Sequence, residues 1–209
     1  MGRWEVLGGI PHKRAILKAA QALRAGKVVL YPTDTTYAIG CLLSEKGAFE
    51  TLCQIRRVRP DKSLFSAFLP EVGAIGQYAL GVDTPTYRLL KWLWPGPYTV
   101  ILRAGPAIPR HLWYRKTIGF RVTDYPIVSA LLVEVGEPIV TAGVPEGQLE
   151  SYMAQVAEAL DAGPLPEGRR TTVIDLSEGL GALRVLRRGI GPLAGLEPFL
   201  LSSEPFQEA

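Results

Sequence analysis

Two hydrophobic periods alternate along this chain. Ile16, Leu17, Ala20 and Leu23 recur at helical spacing between Pro11 and Gly26, and a proline before the start with a glycine past the end predicts one amphipathic helix. The apolar run from Lys27 to Tyr31 predicts a strand, Tyr37 to Leu43 a second, Glu45 to Arg57 a helix and Leu64 to Leu69 a further strand. Thr84-Pro85 offers an N-cap and a first-turn proline for a helix to Trp94, and strands follow over Tyr98 to Arg103 and Ile118 to Val122. Asp124 to Pro126 caps a helix through Val135. Leu149, Met153, Val156, Ala157 and Leu160 again fall at helical spacing, which predicts a last helix ending near Gly163. Segment 163–170, with two prolines and two glycines, reads as a surface loop before a strand from Thr172 to Leu176, with Leu183 to Leu186 as its neighbour. This order predicts an α/β fold on a twisted, mixed sheet flanked by helices. The tail after Phe199 carries little pattern and is expected to fray.

Composition narrows the class. A chain of 209 residues, 47% of them hydrophobic, is long enough for one sizeable core and short for two, so a single domain over 1–209 is expected. Cys41 and Cys53 lie in apolar segments without metal-ligand spacing, which predicts buried free thiols and no tightly bound, protein-ligated metal. No stretch has the pattern of a signal peptide or a membrane span, so a soluble, cytoplasmic protein with no membrane partner is expected. Neither a GxxxxGK[ST] nor a GxGxxG pattern is present. His12 and His111 lack a neighbouring Ser or Cys in nucleophile spacing and read as structural or surface residues.

Charge then points to chemistry. Tyr31 to Tyr37, YPTDTTY, ends an apolar strand with three hydroxyls and a carboxylate, which suits a binding loop. The run Arg56-Arg57-Val58-Arg59-Pro60-Asp61-Lys62 then gathers four cations in seven residues, and the two segments together describe an anion pocket. From Thr84 to Thr123 there is no acidic residue, while Arg88, Lys91, Arg103, Arg110, Arg115, Lys116 and Arg121 supply a local positive field in a protein of net charge +3. Arg56, Arg110, Arg115 and Lys116 are therefore candidate contacts for tRNA or double-stranded RNA, with Tyr87, Trp92, Trp94, Tyr98, Trp113, Tyr114 and Phe120 as candidate stacking surfaces. Asp34, beside a Pro-Thr turn, is expected to cap local backbone amides rather than to act as a base.

The blocks KVVLYPTDTTYAIGC, RVRPDKSL, LWPGPYTVIL, TIGFRV, GEPIV, TTVIDL and LRRGIG occur in an order that resembles the YrdC/YciO-type family of threonylcarbamoyl-AMP synthases and their relatives, over residues from about 10 to 200. The resemblance implies a YrdC-like fold with a concave basic face. It also implies a reaction in which L-threonine, bicarbonate and ATP give threonylcarbamoyl-AMP and pyrophosphate for a tRNA modification, and ATP chemistry calls for Mg²⁺. By that resemblance Arg57 and Arg59 stand at the catalytic Lys-x-Arg positions, and Lys62 and Arg187 at nucleotide contacts. Thr35, Arg121 and Thr172 stand at threonine contacts. The Tyr31 to Tyr37 loop is expected beside Arg57, Arg59 and Arg187.

Three departures are visible against that pattern. Thr141-Ala142-Gly143-Val144-Pro145 replaces the synthases' Ser-Ala-Asn segment, leaving Thr141 to supply a hydroxyl for the nucleotide; Ala67 replaces a histidine; Ala38 replaces a glycine. Their character is that of the YciO-like branch. The leading expectation is a YciO-like nucleotide- and RNA-binding protein with weakened or altered synthase activity. The alternatives are carbamoyl transfer through another carbamoyl-adenylate and a purely RNA-binding module without catalysis.

Overall fold

A computed structural model describes residues 2–196, and the expected fraying after Phe199 lies outside those residues. The elements, in chain order, are β1 (Gly2–Glu5), α1 (Lys13–Arg24), β2 (Val29–Pro32), β3 (Tyr37–Leu42), α2 (Lys46–Arg56), β4 (Ser66–Phe68), α3 (Ile75–Tyr78), β5 (Ala79–Leu80) and α4 (Thr84–Leu93). They continue as β6 (Tyr98–Ala104), β7 (Thr117–Arg121), α5 (Pro126–Val135), β8 (Ile139–Gly143), α6 (Leu149–Met153), β9 (Glu158–Asp161), β10 (Thr172–Asp175) and β11 (Arg184–Arg187). The strands form one mixed sheet in the order β1-β9-β2-β3-β8-β4-β7-β6-β10-β11, with β5 beside β6. Helices flank a mixed central sheet, as the sequence pattern predicts.

Side-chain alternation in the strands divides the core in two. Val29, Tyr31, Ala38, Phe68, Ile139 and Leu160 face α1 and α5, which pack on each other and contribute Ala15, Ile16, Ala19, Leu23, Ile127, Val128 and Leu131. Leu30, Ile39, Cys41, Ala67, Val100, Phe120 and Ile174 face the other way, onto Phe49 and Leu52 of α2 and Leu90 and Leu93 of α4. Both cysteines are free and buried, and burial pushes the Cys41 thiol up to about 12 and the Cys53 thiol up to about 11, so neither ionises near neutrality.

Two local readings are corrected. The helix expected over Leu149 to Leu160 is only α6, after which the chain becomes β9, parallel to both β1 and β2 with Glu158 opposite Gly2 and Val29. Two neighbouring strands need a partner there, and that pairing overrides the apolar spacing. The N-cap of α4 is Asp83 rather than Thr84: its carboxylate accepts the Thr86 amide at 2.9 Å.

Candidate functional site

On the α1/α5 side of the sheet the central strands carry small residues. Gly40, Thr141, Ser66 and Gly119 stand opposite one another across β3, β8, β4 and β7. A Cβ on Gly119 would lie 3.0 Å from Thr99 Cγ2 and 3.1 Å from Ser66 Cβ, so a larger residue would displace this floor. Ser66 and Thr141, with Thr99 of β6, line a cavity of about 530 Å³, in the range of small-molecule sites.

The β2–β3 loop closes one side. The Thr33 hydroxyl accepts the amides of Thr35 at 3.1 Å and Thr36 at 3.2 Å and donates to the Thr36 carbonyl at 2.7 Å. Its only proton is then committed, so the 3.1 Å contact with the Thr35 hydroxyl has Thr35 as donor. Thr33 thus performs the local capping expected of Asp34. Asp34 instead accepts from Arg121 Nη2 at 2.8 Å.

Arg121 ends β7 and is 6% exposed. Its guanidinium carbon stacks 4.7 Å from the Phe68 ring centre, and its Nε is buried with no hydrogen-bond partner. Burial pushes its pKa down, while the Asp34 carboxylate pushes it up; arginine stays charged. A guanidinium held by one nitrogen, with a buried Nε–H left over, has the chemistry to receive a carboxylate or phosphate.

Opposite, Thr171 lies just before β10 and Arg187 ends β11. Arg187 donates from Nε to the Thr171 carbonyl at 3.1 Å and from Nη2 to the Thr171 hydroxyl at 2.8 Å, and that hydroxyl lies 2.9 Å from the hydroxyl of Thr99. Burial, followed by the positive charges of Arg170 and Arg121, pushes the Arg187 pKa down, the electrostatic signature of cations converging on one volume. Arg169, Arg170 and Arg56 also line the cavity. On β8, Thr141 accepts a 3.1 Å hydrogen bond from fully buried Tyr31. Gly40 makes room for it, since a Cβ there would stand 2.5 Å from the Tyr31 hydroxyl.

Of the residues singled out in the sequence, Thr35, Arg121, Thr141 and Arg187 come together here. Three placements are corrected. Thr172 is fully buried on the opposite face of its strand, donating to the Gly191 carbonyl at 2.7 Å and accepting the Gly189 amide at 3.0 Å, so Thr171 faces the cavity in its place. Arg57, Arg59 and Lys62 are exposed and are not among the lining residues, whereas Arg56 is. Trp94, Tyr98 and Phe120 are 2%, 5% and 0% exposed, so they are core and not stacking surfaces. Arg110, Arg115 and Lys116 belong to the β6–β7 connection, away from the cavity lining. Sequence reasoning missed Thr99, Thr171, Arg169 and Arg170; strand alternation from Val173 backwards was the available signal for Thr171.

The family model for Sua5, YciO and YrdC proteins, described as "Telomere recombination", matches residues 21–189. The chain belongs to the Sua5/YciO/YrdC family. Among its relatives is the uncharacterized protein YciO of Escherichia coli K12, 36% identical over 91% of this chain and 95% of YciO. The crystal structure of E. coli YciO superposes with a TM-score of 0.83 at 34% identity, over 96% of this chain and 100% of that one. A threonylcarbamoyl-AMP synthase of Alkalilimnicola ehrlichii is 31% identical over 81% of this chain and 94% of the enzyme. The P. abyssi Sua5 structure complexed with L-threonine shares the fold, with a TM-score of 0.82 at 23% identity over 95% of this chain and 60% of Sua5.

Proposed function

We propose that the cavity binds L-threonine and a nucleotide, and that the protein has L-threonylcarbamoyl-AMP synthase-type activity serving tRNA threonylcarbamoyladenosine formation. The observation that carries this reading is Arg121, a buried guanidinium with an unpartnered Nε beside Asp34 in a cavity lined by further arginines. A threonine carboxylate oxygen at that Nε would satisfy the orphaned donor. The amino group, carboxylated by bicarbonate with loss of water, then presents a carbamate oxygen to the α-phosphorus of ATP. The new P–O bond forms as the bond to pyrophosphate breaks. Arg187, Arg169 and Arg170 supply the positive charge that this gathering of anions requires.

Glu146 is the one carboxylate among the described lining residues, and it accepts the Gly168 amide at 2.8 Å. The donor set therefore fits Mg²⁺ carried on the phosphates and not a metal held by the chain. By the family resemblance Gly143 stands at the synthases' serine; a serine there fits sterically, its Cβ meeting nothing closer than Thr36 Cγ2 at 3.6 Å, so the missing hydroxyl would leave an adenylate less well held without closing the site. Threonine-dependent pyrophosphate release from ATP and bicarbonate tests the reading. Arg121→Ala should abolish it, and Arg121→Lys should restore little, because an ammonium lacks the planar fork. Release that is absent in the parent, or unchanged in Arg121→Ala, overturns it.

A second reading, RNA binding, is favoured by one observation. Arg115 and Lys116, at φ 52° and 66°, occupy both central positions of the turn joining Tyr114 to Thr117. Such turns prefer Asn-Gly, so two cations are kept at a conformational cost of about 1–2 kcal/mol each.

A further inference from the structure

The termination of α2 decides which cations of the basic run face the cavity. Arg57 adopts φ 53°, ψ 43°, its amide bonding to the Gln54 carbonyl at 3.0 Å and the Val58 amide to the Cys53 carbonyl at 3.1 Å. This is the paired pattern of a Schellman stop, with arginine at the left-handed position usually taken by glycine. The reversal leaves Arg56 and Val58 on the cavity wall and Arg57 in solvent. Arg56 does not hang free: its Nη1 donates at 3.1 Å to the hydroxyl of Tyr152, which is 5% exposed on α6. Unlike Asp34 on Arg121, this partner is neutral, so it orients the guanidinium without offsetting its charge.

Resting on the cavity reading above, we propose that Arg56 contacts an oxyanion of the bound ligand and that Tyr152 is its positioning residue. The shared ligand chemistry is an anionic oxygen, from a nucleotide phosphate or from the threonine carboxylate. Calorimetric titration of the full chain with ATP plus Mg²⁺, and separately with L-threonine, distinguishes the two. Arg56→Ala should weaken at least one of them about tenfold or more, the loss expected for a hydrogen bond to a charged group. Tyr152→Phe should weaken the same ligand by roughly three- to tenfold, a smaller loss than Arg56→Ala because the guanidinium loses its orientation and keeps its charge, and add nothing in the Arg56→Ala background. A purely structural tyrosine would give additive effects. Arg56→Lys, which keeps the charge and packing, covers the case in which alanine perturbs folding, and should bind less tightly than the parent.

Binding of both ligands by Arg56→Ala and Arg56→Lys at the parent's affinity, while Arg121→Ala loses threonine, overturns this inference alone. So do additive effects of the two substitutions. A parent that binds neither ligand overturns the cavity reading, and this inference with it.

Discussion

Adjacent threonines show how one residue of register separates the cavity wall from the framework. Thr171 and Thr172 are chemically identical, yet the first turns its hydroxyl to Arg187 and Thr99 at the cavity, and the second buries its hydroxyl between Gly189 and Gly191. Because successive side chains on an extended strand point to opposite faces, the two substitutions by valine should have opposite phenotypes. Thr172→Val leaves a buried amide and a carbonyl unpaired and should cost about 1–3 kcal/mol of stability, read as a lower midpoint of denaturant unfolding, with ligand affinity little changed. Thr171→Val should lower the midpoint less, because the Arg187 and Thr99 groups it releases border the cavity, and should weaken nucleotide binding through the loosened Arg187. If both substitutions act on the midpoint alone, the Thr171 side chain has no part in the site.

At the scale of elements, the chain was legible wherever local pattern and tertiary pairing agree. Most helices and strands follow from apolar period, proline and glycine; the hydroxyl-rich loop was visible as anion chemistry before any geometry, and Arg187 was singled out by the family resemblance. What the sequence hid was set by distant partners or by backbone handedness. The four residues of β1 are too short to show a period, and β9 is a strand because β1 and β2 both pair with it. Arg56 replaces Arg57 on the cavity wall because α2 ends through a left-handed residue, which four neighbouring cations do not announce. That stop is itself testable. Arg57→Gly removes the strain of a side chain at φ 53° and should raise stability by about 0.5–1 kcal/mol after glycine's greater unfolded-state entropy is counted, or roughly 1–4 °C in the thermal midpoint. A lower midpoint would mean that the Arg57 side chain makes a stabilising contact outweighing that strain.

Over the whole molecule, positive charge is divided between the cavity and an outer surface. Arg56, Arg121, Arg169, Arg170 and Arg187 line the cavity. Outside it, the turn Pro60–Lys62 packs against Arg110–Leu112, joining the two basic stretches of the sequence on one surface. Arg110 lies over the Trp113 ring and Arg115 over the Tyr114 ring, with guanidinium carbons 5.9 Å and 5.3 Å from the ring centres. Trp94, Tyr98 and Phe120 are buried and cannot stack on bases, whereas Trp92 is 54% exposed; the cations of this surface would act on phosphates. Such affinity should fall steeply with salt, because each neutralised phosphate releases counterions, and should show weak sequence preference, because duplex RNA is read through shape, phosphates and 2′-hydroxyls. Combining Arg110→Ala with Arg115→Asn and Lys116→Gly tests this without breaking the hairpin, since Asn-Gly suits the left-handed turn better than the native pair. The variant should melt no lower than the parent, bind duplex RNA more weakly, flatten the salt slope by roughly one unit per lost phosphate contact and keep its nucleotide affinity. An unchanged slope in the intact, stable variant would make this surface a solvated one and leave the cavity as the protein's anion site.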